Sequence, residues 1–445
     1  MTAKTSRRRF LATAASISVL PRHIFAQGGR PGANGRLNIA GIGIGGMGKS
    51  NLSQIASAGH TIAALCDVDS AYAAPVVAKY PQAAFFSDFR ELLAKQKDLD
   101  GVMIATPDHT HAQIAAAAIR AGKHVFCQKP LCHDVFECRE LARLAKEKNV
   151  VTQMGIQGRA SPGHYLIREW IAGGGIGELQ SIDAWCSLTY YPWGHAGWST
   201  LLGSKPEKGE PVPATLNWDL FLGPAPARDY HPTYHPAKWR AWWDFGNGMM
   251  GDRGAHTLDA VFSVLGERMP VSVDATSCGM SPDIHPLSAI ITFRFAAEGG
   301  KPPMKLTWYE GTRPPRPMEL PDDQKLPAEG GVIFNGSKAK LVCGVYGDSP
   351  RIIPEAAMKA FERPPQTLAR PKGGIEGDWL GAIVEGRKAV ADFAYSARLT
   401  ELTLLGNIAK RVDSRILWDD AAMRVTNNDD ANRYIKASRR DGWEL

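Results

Sequence analysis

The chain has 445 residues, 44% of them apolar and 22% charged, a balance that suits a folded protein of two domains and excludes disordered and fibrous classes. Its formal charge of +7 is concentrated at the start, where Lys4, Arg7, Arg8, Arg9 and Arg22 face no acid. The remainder is close to neutral and offers no basic stripe for nucleic acid. Seven cysteines are scattered. Cys127, Cys132 and Cys138 lie closest together but form no C-x-x-C pair, so no metal site is expected and no disulfide is selected.

Residues 1–26 read as a twin-arginine signal peptide. Arg7, Arg8 and Arg9 precede Phe10-Leu11 and the apolar run Leu11 to Leu20, which Pro21, Arg22 and His23 end. That bacterial route moves proteins already folded, so the expected location is the periplasm or another exported site, with the twin-arginine machinery as a partner. Stable membrane insertion is not expected, because a spanning helix needs about 20 apolar residues. Residues 27–36, rich in glycine, form a linker.

Residues 37–155 alternate short apolar runs with longer amphipathic ones. Leu37 to Ile42, Thr61 to Cys66, Gly101 to Ala105, His124 to Cys127 and Val150 to Met154 are predicted strands. Lys49 to Ala58, Ala71 to Tyr80, His111 to Ala121 and Asp134 to Lys148 are predicted helices. This rhythm implies an α/β fold with a doubly wound parallel sheet, whose ligands sit beyond the carboxyl ends of the strands. Gly43-x-Gly45-x-x-Gly48 lies in such a place, where glycine permits a tight turn and close approach of a pyrophosphate to a helix N-terminus. Gly46 and Met47 fall inside that loop. The frame Gly41-x-Gly43-x-x-Gly46 also fits. The later frame leaves a full strand before it and puts Asp67 19 residues after Gly48, where a carboxylate accepts ribose hydroxyls and repels a 2′-phosphate, favouring NAD over NADP. Asp69 is close enough to share that role.

Two further strand ends, Thr106-Pro107-Asp108-His109-Thr110-His111 and Gln128-Lys129-Pro130, are expected at the cofactor edge, with Thr106, Pro107, His109, His111, Gln128 and Lys129 as cofactor contacts. Here the chain resembles the Gfo/Idh/MocA family of glucose-fructose oxidoreductase and inositol dehydrogenase, in its exported subgroup. The resemblance implies a Rossmann domain followed by an open-sheet substrate domain, and it extends over Leu37 to Leu445. It implies for Lys129 a place beside the nicotinamide, in contact with substrate hydroxyls. The family carries Glu-Lys-Pro where this chain has Gln128-Lys129-Pro130, which removes a carboxylate beside the lysine.

Residues 156–445 form the expected substrate domain, an α+β unit with a helix at Ser161 to Ala172 and strands at Ser181 to Tyr191, Val271 to Cys278, Ala289 to Phe295, Met304 to Tyr309, Val332 to Phe334 and Ala339 to Cys343. Short connections make this open sheet mainly antiparallel, with helices at Asp378 to Arg387 and Leu399 to Val412 closing the domain. Asp252, His256 and Asp259 are spaced to share one helical face, and an imidazole can take a hydroxyl proton near neutral pH. His256 is the expected base. The resemblance to the family's Asp-x-Gly-x-His-x-x-Asp segment makes Asp252 the orienting acid and leaves Asp259 as support. Lys129, Asp252 and His256 are therefore the catalytic candidates. The aromatic insertion at 192–245 offers flat faces for sugar rings. Tyr191, Trp193, His235 and Arg240 are taken as substrate contacts with Lys129, Asp252 and His256, although several of its aromatics could equally serve only to pack the insertion.

The expected activity is hydride transfer between a sugar, polyol or related hydroxy compound and tightly bound NAD. The alternatives are an NAD-dependent glycoside cleavage by transient oxidation, elimination and re-reduction, and a non-catalytic sugar- or cofactor-binding protein. Apolar residues on both faces of Ala289 to Phe295, such as Ile290 opposite Ile291, predict a homo-oligomer, a dimer or tetramer, unless the insertion folds back as a cover.

Overall fold

The computed structural model describes residues 35–192, 194 and 197–445. The signal reading at 1–26, most of the linker, and Trp193 lie outside the described residues.

The first sheet is assembled from β1 (Asn38–Ile42), β2 (Thr61–Cys66), β3 (Ala84–Phe86), β4 (Gly101–Ile104), β5 (His124–Gln128) and β6 (Thr152–Gly155). Its order is β3-β2-β1-β4-β5-β6, and every pair is parallel. The order reverses between β1 and β4, which opens the switch-point crevice where ligands bind in such sheets. β4 is buried along its whole length, as a strand covered on both faces must be. The covering helices are α1 (Met47–Ser57), α2 (Ser70–Lys79), α3 (Phe89–Lys95), α4 (His111–Arg120) and α5 (Val135–Lys148). Asp69 caps α2 by accepting from Ala71 and Tyr72 amides, and a reciprocal capping box of Asp134 and Glu137 starts α5. β3 and α3 were not predicted. Three half-buried residues on a sheet edge leave too short a pattern to read.

After α6 (Pro162–Ala172), β7 (Leu179–Cys186) enters a second sheet. The insertion carries α7 (Trp218–Leu222), and a π-helical turn at Met250–Gly254 leads into α8 (Ala255–Leu265). Then come β8 (Ser272–Cys278), β9 (Ser288–Phe295), β10 (Met304–Glu310), β11 (Gly330–Gly336), β12 (Lys340–Gly344), β13 (Arg351–Ile353), α9 (Glu355–Ala360), α10 (Gly374–Glu385), α11 (Phe393–Val412), β14 (Ile416–Asp419) and β15 (Arg424–Val425). The nine strands run β13-β12-β11-β7-β10-β9-β8-β14-β15. β7 and β10 pair in parallel and the other pairs are antiparallel, as the short connections predict. The two- to four-residue strands β13, β14 and β15 are additions.

Two departures matter for the site. α10 and α11 do not simply close the second domain. Trp379 of α10 is fully buried against Phe126 of β5, and α11 packs on α5 and β6 as well as on α8, β8 and β9. One apolar core accordingly runs from Val125 to Phe293 and Leu405. The insertion also does not fold back over the outer face of the second sheet. Leu320 and Leu326, from the segment between β10 and β11, cover Trp185, Ile333, Val342 and Ile353 there, while Ile290 stays 44% exposed. The insertion turns instead toward the first sheet: the Ser70 amide donates to the Thr215 carbonyl at 3.0 Å and the Asn217 amide to the Val68 carbonyl at 2.8 Å.

Candidate active site

A cleft of about 330 Å³ runs along the carboxyl ends of β1, β2, β4 and β5 and under the insertion. Its floor is the glycine loop. A Cβ on Gly43, at φ +76°, would lie 2.6 Å from the Thr106 amide nitrogen; one on Gly45 would strike the Tyr72 ring, and one on Gly48 the Gly43 carbonyl. Gly46 is under no such restriction, since the nearest atom is 3.7 Å away. The structure thus singles out Gly43, Gly45 and Gly48, while Gly46 and Met47 line the cleft beside them. No side chain caps the N-terminus of α1, leaving its first amides and its dipole for an anion. Cradle and helix end together fit a dinucleotide's pyrophosphate.

At one end of the cleft lie two carboxylates. Asp67 accepts from the amides of Ile44, Gly45 and Asp69 at 2.9, 3.1 and 3.1 Å. Burial pushes its carboxyl up while those amides pull it down. Asp69 faces His235, whose Nε2 is 2.9 Å from its Oδ2; burial opposes ionisation there, but this bond and the helix-cap amides hold the carboxyl below its usual range. His235, expected among the substrate contacts, therefore sits at the ribose end of the cleft. The His235 Nε2 donates to Asp69, and its Nδ1 is buried with no partner.

At the other end Lys129, Asp252 and His256 come together. Lys129 forms an ion pair with Asp252, and Tyr190 donates its hydroxyl to the second oxygen of the same carboxylate. His256 packs edge-on against Tyr346 at 4.8 Å, with Nδ1 buried and unpartnered. Burial, with Lys129 and Arg253 nearby, holds the imidazole well below its usual pKa, so it rests neutral. Burial, with Arg240 and Arg253, likewise pushes the Lys129 ammonium down to about 7. Both residues of the catalytic turn belong to the π-helical segment and its continuation, a local widening that often marks functional sites.

The remaining candidates divide. Thr106, Pro107, His111, Gln128 and Arg240 line the cleft. His111 sits 2.8 Å from the Pro130 carbonyl and 2.9 Å from that of Thr106, tying two cofactor-edge loops. The Gln128 amide donates to Asn51, and Asn51 donates to the Glu376 carboxylate. A carboxylate is thus retained two bonds beyond the position where the family pattern has one. The Arg240 guanidinium lies 4.2 Å from the ring centres of both Trp198 and Trp239.

His109 does not reach the cleft. It is buried between the Phe245 and Phe221 carbonyls, at 3.2 and 2.9 Å, and burial pushes it down to about 3. The neutral ring has one N–H and donates to one of them, pinning the insertion to the first domain. Tyr191 is also outside the cleft, with Tyr190 taking the place at Asp252. Asp259 accepts from Arg159 and Tyr395 at 3.2 and 2.6 Å, with the His164 ring 3.3 Å from its other oxygen, and anchors α8 from behind. Most insertion aromatics pack on one another: Trp218 stacks on Phe221 at 4.9 Å, and Trp242 is fully buried. Tyr190, Tyr72, Arg253 and Tyr346 were not among the candidates. Tyr190 stood out only as one more aromatic of the stretch that follows β7, because alternation gives no facing once that strand has ended at Cys186. Among the described residues no cluster of His, Cys, Asp or Glu could hold a metal ion.

Residues 37–156 match the family model described as "Oxidoreductase family, NAD-binding Rossmann fold", and residues 185–300 match its "C-terminal alpha/beta domain". The chain belongs to the Gfo/Idh/MocA family. Within that family, inositol 2-dehydrogenase of Salmonella typhimurium is 32% identical over 142 residues, which cover 31% of this chain and 42% of that protein. Levoglucosan dehydrogenase of Pseudarthrobacter phenanthrenivorans is 39% identical over 95 residues, covering 21% of this chain and 24% of that one. The chain thus aligns with less than half the length of these Gfo/Idh/MocA relatives. The fold is also that of the WlbA dehydrogenase from Bordetella pertussis, solved with NADH and UDP-GlcNAcA, at a TM-score of 0.61 and 17% identity over 86% of this chain and 99% of that one. Levoglucosan dehydrogenase solved with NADH gives 0.59 and 19%, over 85% and 98%.

Proposed function

We propose that this Gfo/Idh/MocA protein is an NAD-dependent oxidoreductase that moves hydride between a sugar, polyol or related hydroxy compound and a firmly held dinucleotide. The observation that carries the reading is the meeting of Lys129, Asp252, Tyr190 and a neutral His256 at one end of the cleft whose other end holds Asp67 and the glycine loop. Two carboxylates at the ribose end favour NAD over a 2′-phosphorylated cofactor. The relatives' names, an inositol and a levoglucosan dehydrogenase, support a polyhydroxylated substrate.

The bound dinucleotide supplies the hydride acceptor. His256 takes the hydroxyl proton onto its neutral ring as the carbon is oxidised. Lys129 donates to the hydroxyl oxygen, and Asp252 holds the ammonium in position while Tyr190 fixes the carboxylate from its far side. The guanidinium groups of Arg240 and Arg253 line the same pocket, where their charge favours the developing alkoxide.

A redox-neutral glycoside cleavage is the second reading, favoured by the insertion residues Phe221, His235, Trp239 and Arg240 that wall the cleft and would hinder cofactor exchange between turnovers. A panel of free sugars and chromophoric glycosides separates the two. Growth of reduced-cofactor absorbance supports net oxidation, and aglycone release without it supports cleavage. Analysis of the small molecules freed by denaturing the purified protein tests the cofactor itself: NAD is expected, mostly NADP overturns the argument from Asp67, and a dinucleotide-free protein that binds none when it is added overturns the whole reading.

The further proposals are export by the twin-arginine route to the periplasm and assembly as a homo-oligomer. All seven cysteines are unpaired, six of them buried, so folding needs no oxidising compartment, which suits a protein folded before transport. The exposed Ile290, Val271 and Leu417 on and beside the second sheet's outer face support self-association. Cell fractionation and light scattering test these in turn.

A further inference from the structure

The geometry points to the 192–245 insertion as a clasp that retains the dinucleotide, with His235 as its latch, an inference that rests on the NAD reading. Three observations carry it. First, the strap at 215–217 is paired by backbone with the β2–α2 loop: Asp69 and Leu216 form an antiparallel bridge, flanked by the bonds of Ser70 to Thr215 and of Asn217 to Val68. This loop carries both ribose-end carboxylates, so the strap is fastened at the end of the cleft that would hold the adenosine ribose. Second, His235 crosses the cleft from the insertion to Asp69 at 2.9 Å. Third, its ring meets Tyr72 edge-on at 6.1 Å, and Tyr72 lies on Gly45 in the phosphate cradle. Glycine loop, Tyr72, His235 and Asp69 thus form a closed circuit around the ribose end.

The circuit explains a chemical choice in the latch. With Nε2 donating to Asp69, Nδ1 has no protein partner although it is buried. A ribose hydroxyl, which can both donate and accept, supplies the partner it lacks. His235 is then a cofactor-binding residue contributed by the substrate domain, and departure of the dinucleotide requires breaking its bond to Asp69.

The test follows release of NADH from the full-length holoprotein by its fluorescence, after mixing with excess NAD. Wild type is expected to release slowly, and H235A at least tenfold faster. D69N keeps an oxygen to cap α2 but removes the charge from the latch, so it is expected to fall between them; it reads the same contact should H235A fail to fold. Thermal melting of each loaded protein confirms the fold. Release from H235A or D69N within twofold of wild type overturns the clasp while leaving the NAD reading intact. Failure of the wild-type protein to bind added NADH overturns that reading, and the clasp with it.

Discussion

Asp252 is gripped from two sides, by the Lys129 ammonium and the Tyr190 hydroxyl, and this sets what single substitutions do. Tyr190→Phe leaves the carboxylate with one partner. A hydrogen bond to a charged group is worth about 1.5–3 kcal/mol, so kcat is expected to fall by about tenfold or more with dinucleotide occupancy unchanged, measured as a kcat-against-KM split. His256→Ala removes the base and is expected to cost about 10² in turnover; near-normal turnover in a folded variant would remove it from that role. Lys129 gives the pH signature. Its ammonium is the donating form and burial with two nearby cations lowers its pKa to about 7, so kcat/KM is expected to fall as pH rises through that value. Arg253→Gln takes away one of those cations, which raises the lysine's pKa and moves the limb to higher pH. A limb that stays in place would mean that another group titrates.

At the scale of elements, what could be read beforehand tracks how local the determinant is. The strands β1, β2, β4, β5 and β6 announce themselves by apolar runs, and the glycine loop by its spacing after β1. Lys129, Asp252 and His256 were expected there through the resemblance to the family's lysine and Asp-x-Gly-x-His segments, because spacing alone gives only a strand end and a shared helical face. The lodging of His109 under Phe221 and Phe245 and the crossing of His235 to Asp69 depend on where an irregular stretch of aromatics settles, and no period encodes that. The same holds for α10, whose helix was foreseen at Asp378 to Arg387 but whose neighbour was not. Trp379 buries its ring on Phe126 and against the strand at Gly101, so Trp379→Ala is expected to destabilise the protein by about 3–5 kcal/mol. Chemical denaturation checks the figure, and a loss under 1 kcal/mol would mean that the contact closes up without it.

Over the whole molecule, the outer face of the second sheet is divided. The segment bearing Leu320 and Leu326 covers one half, and the half around Ile290 remains open. The mass in solution is therefore expected to be that of a dimer or tetramer, and Ile290→Lys is expected to shift it downward; a strictly monomeric wild type at micromolar concentration would count against that surface. The long helix α11 touches β6 and α5 on one side and β8, β9 and α8 on the other. It works as a common beam, so the two halves have no soft seam about which to rotate. Traffic into the cleft must then be local, a matter of loops lifting from a stiff frame. The frame should also melt in one calorimetric step, and a fragment ending at residue 156 would lack both the beam and the tryptophan that seals its sheet.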